Sequence, residues 1–314
     1  MDSTFDSDFR LLIAPLQGHT DAPWRHFHHE IYGPAQCFTP FIRLEKGEPR
    51  ARDMSDFTSP LNSSCPPVPQ IIFRDAAEIH LLLNALVSVR ATAVDLNLGC
   101  PFPPQTGKGR GAGVLAHPEV LDPLPDLMDE YPGITLSVKM RLGLDSPEQW
   151  RAVLERLKPV KLSHITIHPR TAREQYSGPL HMDQLERLLD ESPFPVIYNG
   201  DVLTPQDISR IHSRYPRIAG VMCGRGLLGR PSLFAEYIAG REWTVDERLD
   251  AMLRFHSRLL DHYGNTLSGP AQILSKIKPF WEYTTDLPRK TAKALHKSQT
   301  LSSYLRALPR TGID

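Results

Sequence analysis

Short apolar runs alternate with helix-like segments over most of the chain, and this alternation limits the possible folds more than any other feature of the sequence. Apolar runs separated by helices predict βα units and a parallel sheet, because parallel strands need long crossover connections. Eight runs are predicted to be strands: residues 11–14, 36–40, 68–73, 93–97, 135–140, 164–168, 196–198 and 220–222.

Helices are predicted between most of these strands, at 76–89, 118–130, 147–157 and 205–212, and several begin with Asp, Ser or Thr followed by Pro. The stretch 41–67 is predicted to be a long irregular loop. Eight strands with interleaved helices predict a TIM (β/α)8 barrel. A doubly wound open sheet is the alternative, but it usually has fewer strands and a glycine-rich first turn, which Pro15-Leu16-Gln17-Gly18 is not.

The pattern changes to helices alone after Gly240, near 245–263, 270–283 and 291–305. We therefore predict a catalytic barrel domain at 1–240 and an all-α helical domain at 241–314. The whole chain has 36 basic and 36 acidic residues, but from Ala271 onward eight Lys or Arg face three Asp or Glu. The helical domain is thus the basic part, where a polyanion would bind.

The sequence also predicts a compartment. No apolar run approaches the length of a membrane span, and the N-terminal MDSTFDSDFR is acidic and polar, unlike a secretory signal. The four cysteines are far apart and form none of the close pairs typical of zinc sites or redox dithiols. We expect a cytoplasmic protein without a metal or a membrane contact, its thiols reduced.

Polar side chains cluster where the predicted strands end, which is where a TIM barrel carries its active site. These segments are APLQG at 14–18, the strand with Gln70, LNLGCP at 96–101, VKMRLG at 138–143, IHPRT at 167–171, YNGDV at 198–202 and CGRG at 223–226. Each has an ordinary explanation alone: His168 could be a core histidine, and Asn199-Gly200-Asp201 a plain turn. The ordered set indicates a catalytic site more strongly than any member.

Cys100 follows a buried strand in the sequence DLNLGCPFP. A free cysteine often serves simply as a small buried hydrophobe. Gly99 and Pro101, however, interrupt regular structure on both sides, so the thiol is predicted to lie on a turn beyond the strand, where functional groups are common.

The last two strand ends predict a phosphate site, because TIM barrels bind phosphate with the loops after strands seven and eight. Gly224 and Gly226 allow close backbone approach, and Arg225 adds a charge-assisted donor. Lys139 could stabilise negative charge on a reduced ring, and Gln70 can both donate and accept hydrogen bonds. Flavin mononucleotide (FMN) is the cofactor that fits this set.

The strand-end series, together with KGRGAG at 108–113, Tyr176 and Lys276-Ile277-Lys278, resembles the tRNA-dihydrouridine synthase family over the whole chain, and its bacterial C-type branch most. The resemblance implies an FMN-bound TIM barrel with a helical tRNA-binding domain. The implied reaction reduces a uridine of tRNA, position 16 of the D-loop in the C-type branch, to 5,6-dihydrouridine with NADPH. The expected protein is a monomer.

In this family a hydride goes from the flavin to C6 of the uracil, and the cysteine of the NxGCP motif protonates C5. Carried over, the resemblance makes Cys100 the general acid. Residues matching cofactor-binding positions are Pro15, Leu16, Gln17, Gln70, Lys139, His168, Asn199, Gly200, Asp201, Gly224 and Arg225. Residues matching the substrate side are Asn97, Arg141, Tyr176, Lys276 and Lys278.

The chain departs from the family pattern at Leu98, Pro169 and Phe102-Pro103-Pro104, which affects loop geometry rather than chemistry. Two alternatives stay open. One is an FMN barrel acting on a free pyrimidine or enone, which would have no use for a basic helical tail. The other is a catalytically inactive RNA-binding barrel, against which the presence of Cys100, Lys139 and His168 counts.

Overall fold

A computed structural model describes residues 8–309 of the chain. Residues 1–7 and Arg310 lie outside the described residues. The first of these belong to the N-terminal stretch compared above with a secretory signal, and Arg310 belongs to the basic tail. Within the described part, no helix has the length and apolar character needed to cross a membrane.

Ten strands occur in the described residues, and eight of them form one parallel sheet. In chain order the strands are β1 (Arg10–Ile13), β2 (Gln36–Cys37), β3 (Leu44–Glu45), β4 (Glu48–Pro49), β5 (Gln70–Ile71), β6 (Ala93–Leu98), β7 (Thr135–Gly143), β8 (Leu162–Thr171), β9 (Val196–Tyr198) and β10 (Ile218–Cys223). The sheet order is β2-β1-β10-β9-β8-β7-β6-β5. All eight predicted strands are confirmed.

Two parallel bridges, Phe38 with Val68 and Ile42 with Ile71, join the edge strands β2 and β5. The backbone N–H of Val68 donates to the backbone carbonyl of Cys37 at 2.9 Å, and the N–H of Ile42 donates to the backbone carbonyl of Gln70 at 2.7 Å. These contacts close the sheet into a barrel, so the predicted TIM-barrel fold is confirmed and the open sheet is wrong.

Fourteen α-helices are present within residues 8–309. They are α1 (Ala22–Tyr32), α2 (Ala51–Phe57), α3 (Ala76–Ser88), α4 (Pro103–Thr106), α5 (Leu124–Asp129), α6 (Trp150–Leu157), α7 (Met182–Glu191), α8 (Pro205–Arg214), α9 (Arg225–Gly229), α10 (Leu233–Ile238), α11 (Val245–Thr266), α12 (Pro270–Ile277), α13 (Arg289–Lys297) and α14 (Leu301–Ala307). Four 3-10 helices lie at Pro60–Ser63, Gly111–Ala116, Pro118–Leu121 and Lys278–Trp281.

The structure corrects several helix predictions. The stretch 41–67 is not an irregular loop throughout, because it contains the β3–β4 hairpin, α2 and a 3-10 helix. Helices α1, α4, α7, α9 and α10 are not among the predicted helices. The helix predicted at 118–130 is a 3-10 turn followed by α5, and the one predicted at 291–305 is broken between α13 and α14. At that break, the Ser298 hydroxyl donates to Ala294 O at 2.9 Å and Thr300 caps α14.

The barrel interior has two chemically different sides. One side is an apolar cluster of Leu12, Ala14, Phe38, Ile197 and Met222. On the other side, alternate residues of β6, β7 and β8 are buried and polar: Asp95, Asn97, Ser137, Arg141, His164, Thr166 and His168. The residues between them on the same strands pack outward under the helices. The polar side leads to the carboxyl ends of the strands.

The C-terminal helices pack directly against the barrel. Phe255 of α11 contacts Trp24 of α1 with ring centroids 5.5 Å apart, and Arg258 of α11 pairs with Glu30 of α1. Residues of α11 and of the barrel helices belong to one continuous apolar core. This packing fixes the helices relative to the carboxyl ends of the strands.

Candidate active site

A cavity of about 490 Å³ opens at the carboxyl ends of the barrel strands. Most of the predicted site residues line it: Pro15, Leu16, Gln17, Asn97, Cys100, Lys139, Arg141, His168, Tyr176, Asn199, Gly200, Asp201, Gly224 and Arg225. These residues come from loops far apart in the chain, and the parallel sheet brings them together because all its strands end at the same rim.

Cys100 lies on a turn that Asn97 holds in place. The side-chain oxygen of Asn97 accepts the backbone N–H of Gly99 at 3.1 Å and that of Cys100 at 2.9 Å. From the other side, the N–H of Ala112 donates to the Cys100 carbonyl at 3.1 Å. Gly111 permits this approach: its φ is +57°, and a Cβ there would lie 2.9 Å from the Cys100 Cβ. The thiol is therefore held at the cavity wall.

The Cys100 thiol is protonated at neutral pH. Burial raises the pKa of this thiol above its ordinary value of 9.0, and the positive charges of Lys139 and Arg141 only partly oppose that rise. The other three cysteines, Cys37, Cys65 and Cys223, are more fully buried than Cys100. Of these three, Cys223 lines the cavity and the other two do not. A protonated thiol at a cavity wall can act as a proton donor.

Strand register aligns the cationic side chains. Lys139 on β7 is opposite Asn97 on β6, and Arg141 is opposite His168 on β8. Burial and the neighbouring Arg141 together lower the pKa of Lys139 to about 8, and burial lowers that of Arg141 to about 10. Two clustered cations beside a cavity favour an anionic ligand.

Arg141 also fastens two loops. Its Nε donates to the Gly99 carbonyl at 3.1 Å, and its Nη1 donates to the carbonyls of Thr171 at 2.8 Å and Gln175 at 2.7 Å. The turn before Cys100 and the loop after β8 are thereby connected through one guanidinium. Arg141 is accordingly a structural part of the cavity wall as well as a charge.

His168 is neutral, because burial and the surrounding cations hold its pKa well below 6.5. Its Nδ1 is buried and has no hydrogen-bond partner within the described residues. Leaving such an atom unpaired is costly, so a ligand in the cavity that hydrogen-bonds to it would be favoured. The fit of this wall to an anionic, hydrogen-bonding cofactor such as a flavin rests on this atom and on the adjacent cations.

Asp201 connects the carboxyl ends of β8, β9 and β10 at the cavity. Its carboxylate pairs with Arg170 and lies 3.3 Å from Nη2 of Arg225, and both arginines hold the pKa of Asp201 below its ordinary value. The Arg225 guanidinium in turn lies 4.1 Å from the ring centroid of Tyr176. The next residue, Gly226, packs against the backbone of Val202, where a Cβ would lie 2.0 Å from the Val202 carbonyl oxygen. The loops after β9 and β10 are thus locked together.

Three predicted site residues lie outside the cavity lining. Gln70 is fully buried inside the barrel, where it bonds to Asp95 and Asn97. Lys276 pairs with Asp21 at 2.7 Å, and Lys278 donates to the Ser298 carbonyl at 3.0 Å. Lys278 instead lines a separate groove of the helical region.

Further residues line the cavity that the sequence did not point to: His19, Phe41, Phe102, Gln175, Leu203 and Tyr283. Tyr283 comes from the helical region, and its ring meets His19 edge-on with centroids 5.6 Å apart. No local motif marks Tyr283, because only the packing of the helices against the barrel brings it there. Within residues 8–309, no group of His, Cys, Asp or Glu is arranged to hold a metal ion.

The closed barrel and its cationic cavity define a TIM-barrel enzyme with a site for an anionic cofactor or substrate. Among solved structures, the old yellow enzyme from Trypanosoma cruzi is similar in fold, with a TM-score of 0.52 and 8% sequence identity, covering 75% of this chain and 89% of that chain. At that identity the similarity concerns the fold alone.

The chain belongs to the dihydrouridine synthase family, whose model matches residues 12–297. It is similar to the probable tRNA-dihydrouridine synthase 2 of Bacillus subtilis, with 28% identity over 277 residues, 85% of this chain and 82% of the relative. It is also similar to the tRNA-dihydrouridine(16) synthase of Neisseria meningitidis, with 32% identity over 237 residues, 71% of this chain and 69% of the relative. The protein is therefore a flavin-dependent oxidoreductase that reduces uridine in tRNA to dihydrouridine.

Proposed function

We propose that this protein reduces uridine 16 in the D-loop of tRNA, with bound FMN, with NADPH as the reductant and with Cys100 as the proton donor to C5. The observation that carries the proposal is a protonated thiol held on a fixed turn at the wall of a cationic cavity. Position 16 is favoured by two relatives, from Neisseria meningitidis and Ralstonia nicotianae, that are named for that position.

The cofactor would be held by the wall that contains Lys139, His168, Asn199 and Arg225, with Gly224 leaving room for its phosphate. When bound, the flavin supplies the hydride that the reaction adds to C6 of the uracil. Lys139 and Arg225 offset the negative charge of the ligand, and the unpaired Nδ1 of His168 offers it a hydrogen bond. Gln70 lies inside the barrel at the level of Asp95, two residues before Asn97 on β6, and is not part of the cavity lining.

The substrate side would be formed by Asn97, Arg141 and Tyr176. Tyr176 is exposed at the cavity, and the guanidinium of Arg141 lies 5.4 Å from its ring centroid. A uracil must leave its stack in the folded tRNA to reach this cavity, and an aromatic ring beside the opening can stack against an unstacked base. Asn97 keeps its side chain at the same wall as Cys100.

Residues 241–314 would hold the tRNA backbone as a helical domain. Their basic excess supports this role, although Lys276 and Lys278 already have partners in the structure. The helical region also contributes Tyr283 to the cavity, so RNA held there would lie next to the site. We further propose that the protein acts as a cytoplasmic monomer, which agrees with a tRNA substrate.

The test is single-turnover mixing of the reduced, flavin-containing protein with unmodified tRNA under anaerobic conditions. Flavin released by heat denaturation identifies the cofactor by mass, and comparison of NADPH with NADH identifies the reductant. We expect dihydrouridine in wild-type tRNA and none in tRNA whose uridine 16 is replaced by cytidine.

Cys100→Ala should retain flavin and its reduction by NADPH, while oxidation of the flavin by tRNA slows by about 10² to 10⁴. Cys223→Ala is the matched control, because Cys223 is a buried thiol that lines the same cavity and has no place in the proton transfer. Equal rates for Cys100→Ala and wild type would remove Cys100 from the mechanism. Reduction of free uridine as fast as tRNA would favour the enzyme acting on a free pyrimidine.

A further inference from the structure

Four side chains inside the barrel form a hydrogen-bond chain that ends at the backbone of Cys100. Ser137 Oγ donates to Oδ1 of Asp95 at 2.6 Å, and Gln70 Nε2 donates to Oδ2 of Asp95 at 2.7 Å. Asn97 Nδ2 donates to Gln70 Oε1 at 2.7 Å, and Asn97 Oδ1 accepts the N–H of Cys100 at 2.9 Å. Every link joins a donor to an acceptor.

The two ends of this chain fix the direction of the amides between them. A side-chain amide can exchange its oxygen and nitrogen by a half turn with almost no change in shape, and a hydroxyl can donate or accept. An ionised carboxylate only accepts, and a backbone N–H only donates. Asp95 therefore permits only the orientation of Gln70 that presents Oε1 to Asn97. That orientation in turn presents the Asn97 oxygen to the turn.

Asp95 is suited to this role because water cannot replace it. Asp95 and Gln70 are fully buried, and Ser137 is nearly so. Burial raises the pKa of Asp95 to about 6, while hydrogen bonds from Gln70 and Ser137 and the positive charge of Lys139 limit that rise. The carboxylate is therefore ionised at neutral pH. A buried amide that lost this acceptor would be left with an unpaired N–H.

We propose that Asp95 is a positioning residue, which fixes Asn97 through Gln70 and so holds the Cys100 thiol where it donates its proton. The inference rests on the proposed role of Cys100 and assigns a function to a side chain that does not line the cavity. It also gives Gln70 a second role, as the link between Asp95 and the turn.

The decisive variants are Asp95→Leu, which removes the acceptor at similar volume, and Asp95→Asn, which keeps one acceptor oxygen. Two properties of the flavin-containing protein are measured: hydrogen exchange of the Cys100 amide without tRNA, and the rate of flavin oxidation by saturating tRNA. For Asp95→Leu we expect exchange of this amide to rise about tenfold, the size of one lost hydrogen bond. We expect the oxidation rate to fall by up to about 10², as for a misplaced catalytic group.

Asp95→Asn should fall between wild type and Asp95→Leu in both measurements, because its amide can still accept from Gln70. The apparent affinity for tRNA should be unchanged in both variants, since Asp95 does not reach the substrate. Ser137→Ala is the matched control: it removes one hydrogen bond to Asp95 but leaves the carboxylate, so both properties should stay near wild type. If Asp95→Leu does not fold, Gln70→Met breaks the next link and should produce the same rise in exchange.

Unchanged exchange and rate in Asp95→Leu would overturn the inference. So would equal losses in Asp95→Asn and Asp95→Leu, because the charge rather than the acceptor would then matter. Hydrogen exchange separates this inference from the proposed function: a wild-type protein that failed to reduce tRNA would refute the function, whereas the exchange of Cys100 would still decide whether Asp95 holds the turn.

Discussion

The charged side chain of Lys139 destabilises the folded protein because it is buried beside the cavity. Replacing Lys139 should therefore raise the free energy of unfolding by a measurable amount. Burial lowers the pKa of Lys139 from 10.5 to about 8, so the protein carries an ammonium group that its surroundings disfavour. One pKa unit corresponds to about 1.4 kcal/mol, which sets an upper limit of about 3 kcal/mol on the cost at neutral pH. Because the amine borders a cavity open to water, we expect about 2 kcal/mol.

The perturbation is Lys139→Met, which keeps the length of the side chain and removes its charge. Urea denaturation of both chains, freed of flavin, at pH 7 should give the variant a free energy of unfolding about 2 kcal/mol higher than that of wild type. Flavin binding and reduction should be impaired in the same variant, because the cation beside the cofactor is lost.

The pH dependence gives an independent check. The pKa of Lys139 is lower in the folded than in the unfolded chain, so between about pH 8 and 10.5 the unfolded chain binds more protons. The free energy of unfolding of the wild type should therefore rise relative to that of Lys139→Met as the pH rises through this window. Groups that do not interact with Lys139 cancel in the comparison, and making it in chains that both carry Cys100→Ala removes the thiol that does interact with it. Equal stability of the two chains at pH 7, with parallel pH profiles, would refute the reasoning.

Three further predictions concern the cavity. Because burial raises the pKa of Cys100, oxidation of the flavin by tRNA should stay level through neutral pH and slow only above pH 9.0, as the thiol loses its proton; single-turnover rates against pH measure this. Arg225→Ala should lower flavin occupancy, measured by absorbance after gel filtration, because a charge-assisted contact to the phosphate is lost. Tyr283→Ala should weaken tRNA binding more than flavin binding, measured by separate titrations, because Tyr283 belongs to the helical region that we propose holds the RNA.

Each of these predictions has an outcome that contradicts it. A fall in rate as the pH rises through neutrality would mean that another group supplies the proton. Full flavin content in Arg225→Ala would place the phosphate elsewhere, and Arg173→Ala, an exposed arginine outside the cavity lining, is the matched control. Loss of flavin without loss of tRNA affinity in Tyr283→Ala would make that ring part of the cofactor wall.

Much of the site could be predicted because its residues follow strands. Cys100, Lys139, His168 and Asp201 each come directly after or at the end of an apolar run, and a parallel barrel gathers such positions at one rim. Predicting that these residues lie together therefore required only the correct number and direction of the strands. The resemblance to a family then supplied chemical roles that periodicity does not contain.

The sequence by itself determined the order of strands and helices, the barrel class and the residues at the strand ends, because these depend on hydrophobic periodicity and local turn chemistry. Tertiary structure alone decided which side chains complete the cavity. Tyr283 reaches it only because the helical region packs on the barrel next to His19 and Gly229, and Gln70 turns away from the rim only because Asp95, 25 residues later, accepts its amide. Contacts between distant segments depend on packing and on pairing every buried donor with an acceptor, and neither condition can be evaluated within a local stretch of sequence.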